Sequence, residues 1–271
     1  MERQSINKYL NKDKYVLEGK NSPTFMVLDC QNKDTFNIEI KENQKINLLL
    51  LNIKENTKFD FNVLANSSLN LKTVLKGEVK SLNINAKVQS NGDMHVYCAD
   101  FSDGDVNTIV KIDLSEDNTT AMWHLASLSA KNDNKEFDVS LIHNAKNTFG
   151  LSDNYGVSKD DARLVFSGIS HIKNGAKYSK TRQNAKIMVF DDLSKAIARP
   201  ILKIDENEIE ASHGALVGKI NDESMFYLTS RGLTEEQAKE LITMGYLKPI
   251  LVGFEDEEIK EEISSLIEGR M

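Results

Sequence analysis

Ile109-Val110-Lys111-Ile112-Asp113-Leu114 alternates apolar and polar side chains at a period of two, the pattern of a strand with one face in a core and the other toward solvent. The same alternation appears in Phe59-Asp60-Phe61-Asn62-Val63, in Leu82-Asn83-Ile84-Asn85-Ala86-Lys87-Val88 and in Phe137-Asp138-Val139-Ser140-Leu141-Ile142. Such runs recur about every ten to twelve residues from Ile46 to about Phe190, with no helical pattern between them. Crossover βαβ units and doubly wound folds are thereby excluded. A sandwich, a barrel and a solenoid all remain. Asn91-Gly92-Asp93 and Asn174-Gly175 read as hairpin turns, while most breaks are Asn, Asp, Ser and Lys clusters. Asn tolerates left-handed backbone and stacks on itself, so these corners suit a coil of parallel rungs as well as they suit hairpins.

The chain has 271 residues and a formal net charge of -7, enough length for a sizeable core. Its acidic balance argues against nucleic acid as the main ligand, which needs a concentrated basic face. Cys30 and Cys98 are too few for a disulfide framework, and Met1 to Lys8 lacks the apolar run of a signal peptide, so a cytoplasmic location is expected. No run approaches the ~20 apolar residues of a membrane span.

After Asp192 the period changes. Asp222 to Arg231 followed by Gly232 predicts a helix, and Thr234 with Gln237 three residues on predicts the N-cap of a second. Pro249 closes that helix, and Ile259, Ile263, Leu266 and Ile267 fall at helical spacing in a third. The expected division is a short N-terminal segment 1–44, a β core 45–215 and a C-terminal helical region 216–271.

Chemical motifs are sparse. His95, His124, His143, His171 and His213 show no i, i+4 pair, and no Cys-x-x-Cys occurs, so a zinc centre is not expected. His124 reads as a solvent-facing strand residue and Cys98 as a small buried one. Asp160-Asp161 and Asp191-Asp192 sit where strands end, as turn residues do. Gly214-Ala215-Leu216-Val217-Gly218-Lys219 is not a phosphate loop, because Ile220 stands where a hydroxyl is needed. A glycan-cleaving or glycan-binding solenoid would need a groove of aromatic platforms, and aromatic content is 7% with one Trp.

One stretch is specific. Ser212-His213-Gly214-Ala215-Leu216-Val217-Gly218-Lys219-Ile220, continued by Met225 to Leu233 and Glu236-Gln237-Ala238, resembles the C-terminal signature of the SufB/SufD family of iron–sulfur cluster assembly scaffolds. Arg182 to Val189 and Arg199-Pro200-Ile201-Leu202-Lys203-Ile204 are similar to two upstream strands of that family, in the same order. The resemblance spans about Phe166 to Pro249.

The resemblance implies a mainly β fold, a right-handed parallel β-helix core with a C-terminal helical segment. It implies a non-catalytic, SufD-like subunit that pairs with a SufB-type scaffold and a SufC-type ABC ATPase, with a transient iron–sulfur cluster formed near the junction. His213 matches the family's signature histidine, a candidate iron or cluster ligand. Ala211 stands where SufD-like chains carry Cys, and Gly214 where SufB-like chains carry Glu. A SufB-like homodimeric scaffold is the alternative within the family, and a carbohydrate-binding solenoid the alternative outside it.

Three placements follow. Met225, Phe226, Tyr227, Leu241, Ile242 and Tyr246 are expected to form the ATPase surface, part of the set docking on the open end of the β-helix. Pairing with the second scaffold is expected along an exposed strand between about Arg182 and Ile204, limited locally by Pro200. His213, at the change from strands to helices, is expected to project from a strand end rather than into the core.

Overall fold

The computed structural model describes residues 4–19 and 23–271. In chain order the strands are β1 (Gln4–Ser5), β2 (Leu10–Asn11), β3 (Lys14–Leu17), β4 (Thr24–Asp29), β5 (Thr35–Ile40), β6 (Lys45–Leu51), β7 (Asn56–Val63), β8 (Ser68–Leu75) and β9 (Ser81–Val88). They continue as β10 (Asp93–Asp100), β11 (Val106–Leu114), β12 (Thr120–Ser129), β13 (Asn134–His143), β14 (Phe149–Ser158), β15 (Arg163–Ile172), β16 (Lys180–Val189), β17 (Lys195–Ile204) and β18 (Glu210–Lys219). One sheet stacks β1, β4 and then every even strand to β18, and the other stacks β2, β3 and every odd strand to β17. Apart from the antiparallel β2–β3 pair, neighbours within each sheet are parallel, as in β12–β14 and β13–β15. The chain is a flattened parallel β-solenoid, two strands per turn.

Alternation dictates this arrangement. Phe36, Phe59, Ile84 and Val110 from one sheet meet Leu48, Leu71, Val96 and Trp123 from the other, all of them buried, and burial on that scale supplies the main driving force. Neighbouring residues of successive rungs are 23 positions apart at Asn47 and Asn70 but 31 apart at Asp153 and Asn184. A turn that lengthens along the chain leaves no fixed repeat in the sequence.

The corners are left-handed. Asn43, Asn66, Asn91, Asn118 and Asn147 all have positive φ, a conformation Asn tolerates. Asn91 therefore marks a rung corner rather than the hairpin its Asn-Gly-Asp sequence suggested, and Asn174-Gly175 lies in the corner between β15 and β16.

The rungs also run further than expected. β3 to β5 lie inside the segment assigned to 1–44, where Phe36, Ile38 and Ile40 already alternate inward, and β18 continues to Lys219. The first rung is closed by a short 3-10 helix, Ile6–Tyr9, with Ile6 buried.

Helices α1 (Asp222–Ser230), α2 (Glu235–Leu247) and α3 (Glu257–Glu268) follow, with a 3-10 turn at Lys248–Gly253 between the last two. Thr234 and Gln237 form the reciprocal capping box the spacing predicts. These elements do not cap the open end. Ile259, Ile263 and Ile267 pack with Leu49, Val74, Ala99 and Ala126, which belong to the outer face of the even-stranded sheet. Those four residues break strict alternation, and this is the physical reason the helices dock on the side. Ion pairs Lys72–Glu255, Lys76–Glu262 and Arg270–Asp133 fasten the segment along its length. No described helix is long and apolar enough to cross a membrane.

Candidate functional site

The last turn of the solenoid has no rung above it. β17 and β18 end their sheets, so their inward faces and one side of each backbone are uncovered. β16, inside the range expected for pairing, is hydrogen-bonded on both sides, by β14 and β18, and its Ile187 is buried. The available edge is therefore the later pair of strands.

The two edges differ. In β17, Lys195 N–H donates to Ala162 O and Asp205 N–H to Ile172 O, both at 2.8 Å. Backbone groups alternate sides along a strand, so those of Ala196, Ala198, Pro200 and Leu202 face the free edge. Pro200 supplies no donor there, which blunts that edge. In β18, Glu210 N–H donates to Ser179 O at 3.0 Å and Ile220 N–H to Val189 O at 3.2 Å. The N–H and C=O groups of Ala211, His213, Ala215 and Val217 face outward with no proline among them, leaving β18 competent to accept another strand.

His213 lies mid-strand, not at a strand end. Register places it beside Gln183, which lies beside Ser152, which lies beside Trp123, all on the inward face. The side chain thus belongs to the interior column and is exposed because the column stops there. No hydrogen bond to His213 is formed by the described residues. One rung below, Gln183 Nε2 donates to Ile201 O at 3.0 Å, and three rungs below Trp123 Nε1 donates to Asn154 Oδ1 at 2.9 Å. The gap beside Gln183 has a volume of about 10 Å³, room for one water at most. The core below His213 is packed rather than open.

Thiolate chemistry is absent from this end. Cys30 and Cys98 are both buried. Burial, helped by Asp29, pushes the Cys30 thiol up to about 12. Burial, then Asp100, holds the Cys98 thiol well above its ordinary value. Neither is a ready ligand or nucleophile. Among the described residues no three His, Cys, Asp or Glu side chains are grouped to hold a metal ion.

The helical surface divides in two. Phe226 is 75% exposed and Tyr227 57%, and Leu241 is also exposed, whereas Met225 and Ile242 are half-buried. Tyr246 packs edge-on against Tyr155 at 5.6 Å and is part of the docking seam, with burial pushing its hydroxyl up to about 12. His124 faces outward as its phase requires, yet it is half-buried, stacked on Tyr97 at 4.8 Å beside the 3-10 turn.

Over residues 26–246 the chain matches the family described as SUF system FeS cluster assembly, SufBD core domain. It is 30% identical over 170 residues to the iron–sulfur cluster assembly protein SufD of Bacillus subtilis, a match covering 63% of this chain and 39% of that protein. It is 31% identical over 123 residues to an iron–sulfur cluster assembly SufBD family protein of Staphylococcus saprophyticus, covering 45% of this chain and 26% of that protein. The chain thus spans well under half the length of these relatives.

Proposed function

Because the chain belongs to the SufBD core family of the SUF iron–sulfur cluster assembly system, we propose that it is a SufD-like scaffold subunit without catalytic chemistry of its own. It pairs with a SufB-type chain through the open end of the solenoid and carries a SufC-type ATPase on its C-terminal helices. A transient cluster, cargo rather than resident cofactor, forms at the junction of the two solenoids. The observation that carries this reading is the unpaired β18 edge with His213 on its inward face: a strand added there encloses the imidazole between two chains. A neutral imidazole donates to iron. With Ala211 in place of a thiol and both cysteines buried, this chain contributes nitrogen and its partner the thiolates that hold a cluster. Phe226, Tyr227 and Leu241, apolar and uncovered, are the docking residues for the ATPase.

Backbone hydrogen exchange tests the pairing directly. Amides of Ala211, His213, Ala215 and Val217 exchange freely in the isolated chain and become protected on adding a SufB-type partner, whereas Ser212 and Leu216 are protected in both. Unchanged exchange at the four odd positions in a formed complex rules out pairing at β18.

A further inference from the structure

Asn43, Asn66, Asn91, Asn118, Asn147 and Tyr178 occupy one corner of the solenoid, one per rung, each with φ between 53° and 63°. Each passes its backbone N–H to a carbonyl in the next rung, Asn147 to Lys177 O and Tyr178 to Glu208 O among them. Asn suits this left-handed backbone because its side chain is short and polar. It also forms a ladder here, Asn118 Nδ2 donating to Asn91 Oδ1 at 3.1 Å and Asn91 Nδ2 to Asn66 Oδ1 at 3.0 Å. The sixth residue of the column breaks the rule: a bulky residue at positive φ is strained.

Within the chain, bonds to Glu208 hold that backbone in place. The Tyr178 ring is 60% exposed, and its hydroxyl bonds the Glu208 carboxylate on the surface. Its position is informative. Ile209 takes the corner in the last rung, so Tyr178 stands about one strand spacing, ~4.8 Å, behind the rim that bears the β18 edge. A depression of about 380 Å³ lined by Tyr178, Lys180, Glu208, Ile209 and Glu210 leads from the ring to the first residue of that strand. An exposed tyrosine beside a free edge, apolar in its ring and polar at its tip, is placed to meet a second chain.

We infer that Tyr178 is a docking anchor for the second solenoid chain, which reaches past the rim and packs on the ring; the inference rests on the β18 pairing proposed above. The ring lies among Glu206, Glu208 and Glu210, with Lys177 and Lys180 paired to the last two at 3.0 and 2.7 Å. An exposed aromatic face in a net acidic setting fits a planar cation, an arginine guanidinium of the partner chain.

The test compares Tyr178→Asn, Tyr178→Phe and Val217→Pro in full-length chain, by thermal melting alone and by Kd for a SufB-type chain. Tyr178→Asn relieves the strain, so its Tm is expected to rise by about 2–4 °C while its affinity falls about tenfold. Tyr178→Phe keeps ring and strain and pairs within about threefold of wild type. A Tyr178→Asn variant that melts lower than wild type overturns the strain argument. Unchanged affinity in Tyr178→Asn, with pairing lost in Val217→Pro, overturns the anchor and leaves the edge pairing standing. Unchanged affinity in both overturns both readings.

Discussion

Gln183 and His213 sit side by side in one inward-facing column, and only Gln183 has a rung over it. Gln183 is 4% exposed and anchored to Ile201 O, whereas the histidine beside it opens on solvent. The end of the stack, rather than any local turn, makes the imidazole accessible. The solenoid closes its first rung with Ile6 and leaves its last uncovered, the edge used by the pairing proposed above.

The edge geometry gives a clean substitution. Val217 N–H points away from β16, so Val217→Pro removes a donor from the free edge alone. Tm is expected to stay within about 3 °C of wild type, near 1 kcal/mol, while affinity for a SufB-type chain falls about tenfold, ~1.4 kcal/mol. Ile187→Pro instead breaks a bonded, buried strand and unfolds the chain. Melting curves and size-exclusion binding separate the two, and equal effects on both proteins would refute the assignment of the edge.

Gly253 lets the 3-10 turn lie on Tyr97: a Cβ there would come within 2.1 Å of the ring. Gly253→Ala therefore lifts the turn and loosens α3, costing about 1–3 kcal/mol. Limited proteolysis should cut the variant first between Lys248 and Glu257. A cleavage pattern matching wild type would mean that the turn has slack.

Lys135 is fully buried, with Nζ bonded to Asp100 Oδ2 at 2.9 Å, Ser102 O at 2.7 Å and Leu128 O at 3.0 Å. Removing one partner of such a pair strands the other charge, so Lys135→Met is expected to cost about 3–5 kcal/mol. Adding Asp100→Asn should recover part of the loss in denaturant unfolding. A double variant no better than the single contradicts this pairing.

His143 supplies a pH dependence. Burial, reinforced by His171, lowers its pKa from 6.5 to about 4. The folded value lies below the unfolded one, so the unfolded chain takes up the proton first and stability falls as pH drops from 6.5 toward 4. The full loss is about 3 kcal/mol. His143→Leu matches the aliphatic residues of its column, Leu114 and Ile172. Between pH 7.5 and pH 5 it should lose about 2 kcal/mol less than wild type, measured by denaturant unfolding. Identical losses would locate the acid sensitivity elsewhere.

Much of the fold was legible in the sequence because a half-buried strand writes its burial at period two, as Val110, Ile112 and Leu114 do. The rungs before Ile46 carry the same signal in Phe36, Ile38 and Ile40, but their strands are shorter and their gaps charged. The docking side of the helices was missed although a signal existed: Leu48-Leu49-Leu50-Leu51 and Leu125-Ala126 put apolar residues on both faces of a strand, and an outward apolar residue needs a cover. The direction of His213 could not be read, since Ala211 to Gly218 is nearly all small or apolar and has no phase. Only pairing with β16 reveals it.

His213, at an uncovered column end, is proposed to serve cluster assembly and to do little for folding. Anaerobic reconstitution with iron and sulfide, of wild type and His213→Ala each complexed with SufB-type and SufC-type partners, reads it from visible charge-transfer absorbance alongside a thermal melt. His213→Ala is expected to assemble the complex and melt within about 1 °C of wild type, ~0.5 kcal/mol, but to lose most of the cluster absorbance. Full cluster absorbance in His213→Ala would contradict it.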